Sequence, residues 1–528
     1  MSYFLLIILL PLTSSVEGQK EFPDNFKFGV SSSAYQIEGA WSEDGKGESI
    51  WDHLVHNHPE KIRDRSNGDV ACDSYHLWHR DVEMLKELGV DTYRFSIAWT
   101  RIMPTGIGNQ VNPKGVEYYN SLINALLANN ITPYVVLYHW DLPQRLQEMG
   151  GWINRDTIGR FKEYARFAFE TFGDRVKWWT TFNEPVQICR ESYEQDAMAP
   201  GYDFPGIPCY LCAHNLLLAH AETVQLYRLH YQSSQGGKIG ISLSSAWAQP
   251  RSDSADDREA SEMNLQFIIG WFAHPIFSTN GNYPQIMIDR IGNFSAQQGF
   301  AKSRLPTFSA DEIRQIKESS DFLGFNTYTS YMVHKLDEQN ANIFPQPSFN
   351  HDSGVVEYPN TSWPETASSW FRVHPKGIYN LLTWIRREYD NPDVFVTENG
   401  YSDHGDMRDT NRVEYFKKYM DAVLDAVGEG CNVKGYFAWS LMDNFEWRGG
   451  IVERFGLYYV DFNHPNRTRT RKSSAKFYAD VIKKRKIDME LMPEPDDYTP
   501  YSAAEAVSTR VKPVIIAAMI VYLYKLIY

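Results

Sequence analysis

Residues Trp178 to Pro185 read Trp-Trp-Thr-Thr-Phe-Asn-Glu-Pro. The aromatic and β-branched run Trp178–Asn183 has the character of a strand buried on both faces. It ends on a carboxylate, Glu184. Runs of the same kind recur at Phe26–Ser31, Thr92–Trp99, Pro133–His139, Lys238–Ser244, Phe322–Tyr328, Val394–Thr397 and Gly435–Ser440. Most are separated by helical patterns, such as Trp78–Leu88 and Arg160–Phe172. In the latter, Phe161, Tyr164, Ala165, Ala168 and Phe172 fall at helical spacing. Strand–helix alternation of this length predicts an α/β fold, a single (β/α)8 barrel with extended βα loops. No linker or low-complexity break precedes residue 490, so one domain is expected over residues 19–490.

A second carboxylate ends a second strand, in Val396-Thr397-Glu398-Asn399-Gly400. A carboxylate at the end of a buried strand is costly to desolvate unless it has partners or a task. In a barrel the carboxyl ends of the strands converge on one face, where active sites form. Glu184 and Glu398, distant in the chain, are therefore expected to meet in one site. Hydrolysis of a glycosidic bond needs such a pair: one carboxyl protonates the leaving oxygen, the other attacks the sugar carbon or activates water.

The bulk composition agrees with this reading. The chain has 528 residues, 43% of them hydrophobic, enough for a large core and against disorder. Aromatics make up 14%, with 15 Trp and 32 Tyr, and aromatic faces suit pyranose rings. A formal net charge of −14 without a long basic run argues against a nucleic-acid partner.

The two ends carry targeting signals. Residues 1–18 read as a secretory signal peptide: Phe4–Leu12 is apolar, and Val16 and Gly18 supply small residues before a cut at Gln19. Residues 491–512 read as a polar linker, with Met492–Pro500 exposed. Residues 513–528 form a hydrophobic tail. The apolar run Val514–Tyr524 is shorter than the roughly 20 residues of a spanning helix. With Ser502, Ala503 and Ala504 and the spacer Glu505–Lys512, it fits a GPI-anchor signal, hence membrane attachment through the tail. The expected location is secreted or cell-surface. Asn130, Asn293, Asn360 and Asn466 stand in Asn-x-Ser/Thr triplets for glycosylation. Asn293 and Asn360 look usable, while Asn130, directly before an apolar strand, is expected to be shielded. Five cysteines are too few for a disulfide framework. Cys209 and Cys212 could close a small loop disulfide, with Cys72, Cys189 and Cys431 read as small core residues.

The residues also carry a resemblance. Phe22-Pro23-x-x-Phe26, Ser33-Ala34-Tyr35-Gln36-Ile37-Glu38-Gly39, Tyr93-Arg94-Phe95-Ser96-Ile97-Ala98-Trp99, Tyr138-His139-Trp140-Asp141-Leu142-Pro143 and Thr181-Phe182-Asn183-Glu184-Pro185 follow one another along the chain. They are succeeded by Gly324-Phe325-Asn326-Thr327-Tyr328, Thr397-Glu398-Asn399-Gly400, Trp439–Trp447 and Arg454-Phe455-Gly456-Leu457. In this order they resemble the family 1 glycoside hydrolases, which include β-glucosidases, thioglucosidases (myrosinases) and lactase-type enzymes, from about residue 22 to about residue 485. Tyr210–Asn215 looks more like animal, especially insect, members than plant ones.

The resemblance implies a retaining β-glycosidase, with Glu184 as acid/base and Glu398 as nucleophile. It implies that Arg94, Asn326 and Tyr328 orient the nucleophile. It also implies that Gln36, His139, Asn183 and Glu446 bind sugar hydroxyls, with Trp439 stacking on the sugar and Trp447 beside it. Glu446 and Gln36 are similar to the branch acting on non-phosphorylated glycones with free 4- and 6-hydroxyls, and glucose is the choice on family frequency. No metal or cofactor is required, and His139 lacks a second histidine at ligand spacing. Arg190, six residues past Glu184, is expected at the pocket mouth. There a guanidinium would favour an anionic aglycone such as a glucosinolate. Thioglucosidase is thus the alternative, and a non-catalytic sugar-binding protein the alternative of another class. The sequence leaves the oligomeric state open.

Overall fold

The computed structural model describes residues 20–108, 110–337 and 346–497. Its centre is a closed barrel of eight parallel strands. These are β1 (Lys27–Ser31), β2 (Thr92–Ser96), β3 (Thr132–Tyr138), β4 (Trp178–Asn183), β5 (Lys238–Ser244), β6 (Leu323–Asn326), β7 (Val394–Asn399) and β8 (Val433–Trp439). Each pairs with its sequence neighbours, and β1 closes the ring on β8. All eight runs read from the sequence are barrel strands.

The barrel is filled in two tiers. At the lower end Tyr134, Trp178, Phe322, Phe395 and Phe437 form a separate aromatic cluster, with ring centroids 5.1 Å apart for Trp178–Phe395 and 5.6 Å for Tyr134–Phe437. Side chains two residues further along a strand point to the same face. Phe437 is therefore followed inward by Trp439, and Phe322 by Gly324 and Asn326. This dry floor keeps the polar tier at the carboxyl ends of the strands. On β7 the register slips between Val396 and Glu398, and such a bulge re-aims side chains at the rim of a barrel.

Outside the ring, helices bury apolar stripes against the strands. Asp156–Phe172, for example, buries Phe161, Tyr164, Ala165, Ala168 and Phe172, the positions its spacing predicted. The extended loops carry two small sheets, one of Trp247–Pro250, Ser330–Lys335 and Val355–Tyr358, the other of Tyr458–Val460 and Arg469–Arg471.

Three expectations are corrected here. The disulfide joins Cys189 to Cys212, with Cα atoms 5.5 Å apart, and Cys209 is a free buried thiol. Cys209 and Cys212 lie in the first turns of the helix Pro208–His230, not in a loop. Cys212 meets Cys189 from the neighbouring helix Pro185–Tyr193, a contact between distant segments that local spacing does not reveal. Asn130 is exposed: it sits in a left-handed turn (φ +59°) ahead of β3. Residues 491–497, read as the start of a free linker, lie against the domain, where Asp496 pairs with Lys476 at 2.8 Å and with Arg471 at 3.3 Å. Of the other glycosylation triplets, Asn293 and Asn466 are exposed and Asn360 is half-buried. The expected signal peptide and the apolar tail residues lie outside the described residues. Among the described residues no helix is long and apolar enough to cross a membrane.

Candidate active site

The polar tier is one hydrogen-bonded cluster. Arg94, on β2 and fully buried, donates from Nη1 to Glu398 Oε1 at 2.8 Å and from Nη2 to Asn183 Oδ1 at 2.6 Å. The Tyr328 hydroxyl donates to Glu398 Oε2 at 2.8 Å. Both oxygens of Glu398 are therefore held, one by a cation and one by a phenol. Asn326, expected to serve Glu398, is fixed through its Oδ1 by the Thr397 hydroxyl (2.6 Å). Its amide nitrogen donates to Glu184 Oε1 at 2.8 Å and to Asn183 Oδ1 at 3.0 Å. It thus braces the other carboxyl directly and also favours ionised Glu398.

Glu184 follows β4 directly, with a left-handed φ of +50°. The helix Pro185–Tyr193 begins immediately after it, with proline at its favoured first position. Trp140 and Trp447 also have positive φ. Side chains of this size occupy that region at a cost, and such conformations gather at functional sites.

Electrostatics separates the two carboxyls. Burial raises the proton affinity of both. At Glu398 the Arg94 charge and the Tyr328 hydrogen bond oppose that rise. At Glu184 the negative Glu398 adds to it and no cation touches the group, so its pKa is pushed up to about 8. The arrangement favours the proton on Glu184 and the negative charge on Glu398.

The remaining residues line the same tier. The Gln36 amide donates to Asn444 Oδ1 and Phe445 O at 3.0 Å and to Glu446 Oε2 at 3.3 Å. Burial, with Glu453 and Glu398 nearby, raises the proton affinity of Glu446 well above the usual range. His139 Nε2 lies 3.1 Å from the Asn183 amide. Burial and Arg94 lower the basicity of His139, keeping it a neutral donor or acceptor. Its ring runs nearly parallel to Trp439 and Trp447, with centroids 5.9 and 6.1 Å away. Buried polar groups beside indole faces suit a sugar, whose edge is hydroxyl and whose face is C–H.

Arg190 does not reach this tier. Its guanidinium stacks on Phe349 at 4.2 Å and donates to Asn350 Oδ1 at 3.1 Å. Phe349 and Asn350, brought beside the helix from far along the chain, take up its charge. Gln187, whose Oε1 accepts from Ser244 Oγ at the end of β5 (3.0 Å), marks the face of the helix turned to the barrel. Trp140 escaped sequence reasoning. Its indole donates to the Asn183 carbonyl (2.9 Å) and its ring meets Trp447 at 4.8 Å; its place between His139 and Asp141 was the available signal.

Residues 18–487 match the model of glycosyl hydrolase family 1. Myrosinase 1 of Brevicoryne brassicae is 45% identical over 465 residues, 88% of this chain and 98% of that protein. Lactase/phlorizin hydrolase of Homo sapiens is 48% identical over 465 residues, 87% of this chain and 24% of that much longer one. Among solved structures, aphid myrosinase superposes with a TM-score of 0.84 at 45% identity, covering 88% of this chain and 99% of its own. A β-glucosidase from Humicola insolens, solved with glucose, gives 0.81 at 37% identity, over 89% and 100% of the two chains.

Proposed function

Because the chain belongs to glycosyl hydrolase family 1, and is therefore a glycoside hydrolase, we propose that it removes terminal β-D-glucosyl residues from β-glucosides by double displacement. The observation that carries the reading is the asymmetry of the carboxyl pair: Glu398 is held on both oxygens by Arg94 and Tyr328, while Glu184 lies beside it with raised proton affinity.

Glu398 attacks the anomeric carbon, forming a glycosyl ester as the bond to the leaving oxygen breaks. Glu184 gives its proton to that oxygen. Ester formation removes the charge of Glu398, and with it the repulsion that kept Glu184 protonated. Glu184 then takes a proton from water as the water oxygen attacks the anomeric carbon. Glucose leaves with its β configuration, and both carboxyls return to their starting states. Asn183, held by Arg94 and Asn326, is placed for the 2-hydroxyl, a contact that strengthens in the transition state. Gln36, His139 and Glu446 hold the other hydroxyls, and Trp439 and Trp447 supply the apolar face. Glucose as glycone is supported by Gln36 and Glu446 side by side, which suit free 4- and 6-hydroxyls, and by relatives that are β-glucosidases.

A thioglucoside reading draws support from the similarity to the B. brassicae myrosinase. The residue expected to recognise an anionic aglycone, Arg190, is engaged elsewhere, so the O-glucoside reading stands first. Secretion is part of the proposal, supported by the apolar N-terminal run and by the disulfide Cys189–Cys212, which suits an oxidising compartment.

The test is covalent trapping with a 2-fluoro-2-deoxy-β-glucosyl donor that carries an activated leaving group, followed by peptide mass mapping. The adduct is expected on Glu398. An adduct on another residue, or none despite turnover of an aryl β-glucoside, would overturn the assignment.

A further inference from the structure

The helix Thr410–Gly428, which joins β7 to β8, carries two tyrosines aimed at one atom. Tyr415 and Tyr419 are four residues apart and share a helix face. Both are buried, and their rings stack at 3.8 Å. Both hydroxyls donate to the backbone carbonyl oxygen of Tyr328, each at 3.0 Å. A carbonyl oxygen has two lone pairs, and the two phenols take both. Each hydroxyl accepts in turn, Tyr415 from the Asn399 amide at 2.7 Å and Tyr419 from the backbone N–H of His374 at 3.1 Å. The proton of each is thereby left for the carbonyl.

The segment they hold lies outside the strand ladder. β6 ends at Asn326, and Thr327 and Tyr328 come before the next strand begins at Ser330. Thr327 is tied to β7 instead: its N–H donates to the Glu398 carbonyl at 3.1 Å, and its carbonyl accepts from the Asn399 amide. Asn399 is fixed by the Tyr436 hydroxyl on β8. The next residue, Tyr328, carries the phenol that donates to Glu398 Oε2 at 2.8 Å. Its ring stands edge-on to Trp370, Phe371 and Phe455, with centroids 6.1, 6.2 and 5.9 Å away. Such contacts confine the ring without giving it a direction, which the carbonyl anchor supplies. Phenylalanine would fill the same core space as either tyrosine, and a buried hydroxyl is costly without a partner. Two of them on one carbonyl bear on the placement of Tyr328.

Resting on the β-glucosidase reading, we propose that Tyr415 and Tyr419 are positioning residues of the reaction: by anchoring the Tyr328 carbonyl they hold its phenol at bonding distance from Glu398. A helix outside the barrel thus sets the strength of a hydrogen bond to the nucleophile.

The consequence is read in the pH profile. Glu398 faces Arg94, Tyr328, Glu184 and Glu446, and the anchor bears on Tyr328 among them. Burial holds the protons of Tyr415 and Tyr419 themselves far above the usual range, so neither titrates in the assayed interval. A looser phenol stabilises the carboxylate less, so Glu398 keeps its proton to higher pH. Activity, which needs the ionised nucleophile, is then lost earlier as pH falls.

The experiment measures kcat/KM for an aryl β-glucoside across the pH range, with melting temperatures alongside. The proteins are the wild type, Tyr328→Phe, the pair Tyr415→Phe with Tyr419→Phe, and all three changes together. The pair is expected to move the acid limb upward by about 0.5–1 pH unit, part of what loss of the whole bond would do. In the Tyr328→Phe background the same pair should leave the limb in place, because the bond it serves is gone. A merely structural role would lower the melting temperature, or kcat at every pH, without moving the limb. Should the paired variant fail to fold, Tyr415→Phe and Tyr419→Phe singly must each still move the limb upward. A stationary limb in the folded variants, or an equal shift with and without the Tyr328 hydroxyl, overturns the proposal. If the wild type does not hydrolyse the glucoside, the β-glucosidase reading fails and this inference falls with it. If it does and the limb stays still, only the role of the two tyrosines falls.

Discussion

Replacing Tyr328 by phenylalanine removes one oxygen atom from the site, and its effect can be worked from the geometry. The hydroxyl donates to Glu398 Oε2 at 2.8 Å. Burial and the nearby carboxylates hold its own proton far above the usual range, so it is a donor at every working pH. A hydrogen bond to a charged group contributes about 1.5–3 kcal/mol. At about 1.4 kcal/mol per pKa unit, its loss should raise the proton affinity of Glu398 by about 1–2 units. The nucleophile must be ionised, so activity is present above its pKa and is lost as pH falls through it. The acid limb of kcat/KM should therefore move upward by about 1–2 pH units. The basic limb follows Glu184, which must keep its proton: activity is present below about 8 and lost as pH rises through that value. Tyr328 makes no hydrogen bond to Glu184, so the basic limb should move less than the acid limb. The assay is kcat/KM for an aryl β-glucoside across the pH range, each limb being read as a property of the coupled pair. A stationary acid limb, or a shift confined to the basic limb, would refute the assignment of the ionised partner to Glu398.

Glu184→Gln should slow cellobiose hydrolysis by a factor of about 10²–10⁴, yet spare the glycosylation step of a dinitrophenyl glucoside, whose leaving group needs no proton. Equal losses on both substrates would contradict the acid role. Gly400→Ala places a Cβ 1.9 Å from the backbone oxygen of Trp439. Since Gly400 follows β7 and Trp439 ends β8, the substitution should part the two strands and lower both the melting temperature and kcat. A variant with unchanged Tm would show that the strand ends are more pliable than drawn. Cys189→Ser opens the link between the helices Pro185–Tyr193 and Pro208–His230 and should cost about 2–4 kcal/mol. The same loss should follow Cys212→Ser, and Cys209→Ser should not share it; thermal unfolding of the three proteins decides this.

The barrel was legible because parallel strands covered on both faces must be apolar and short, and the chain shows that run repeatedly. Their ends were less so. Thr92–Trp99 reads as one strand, but β2 ends at Ser96 and Trp99–Ile102 is a turn of helix, since a buried run has no period to mark the change. Val394–Thr397 reads too short, because Glu398 and Asn399 look like loop residues until their partners Arg94, Tyr328 and Tyr436 are seen. The placement of Glu184 and Glu398 together was implied by strand ends alone. The Cys189–Cys212 pair and the engagement of Arg190 by Phe349 and Asn350 depend on how one helix sits against segments far along the chain. No local spacing records that.

The account rests on two successive inversions at one sugar carbon, so the stereochemistry of the first product tests it most directly. Proton NMR recorded in the first minutes of hydrolysis of an aryl β-glucoside should show β-glucose appearing first, with the α anomer growing only by mutarotation. α-Glucose as the first product would mean a single displacement by water, and Glu398 could not then be the nucleophile.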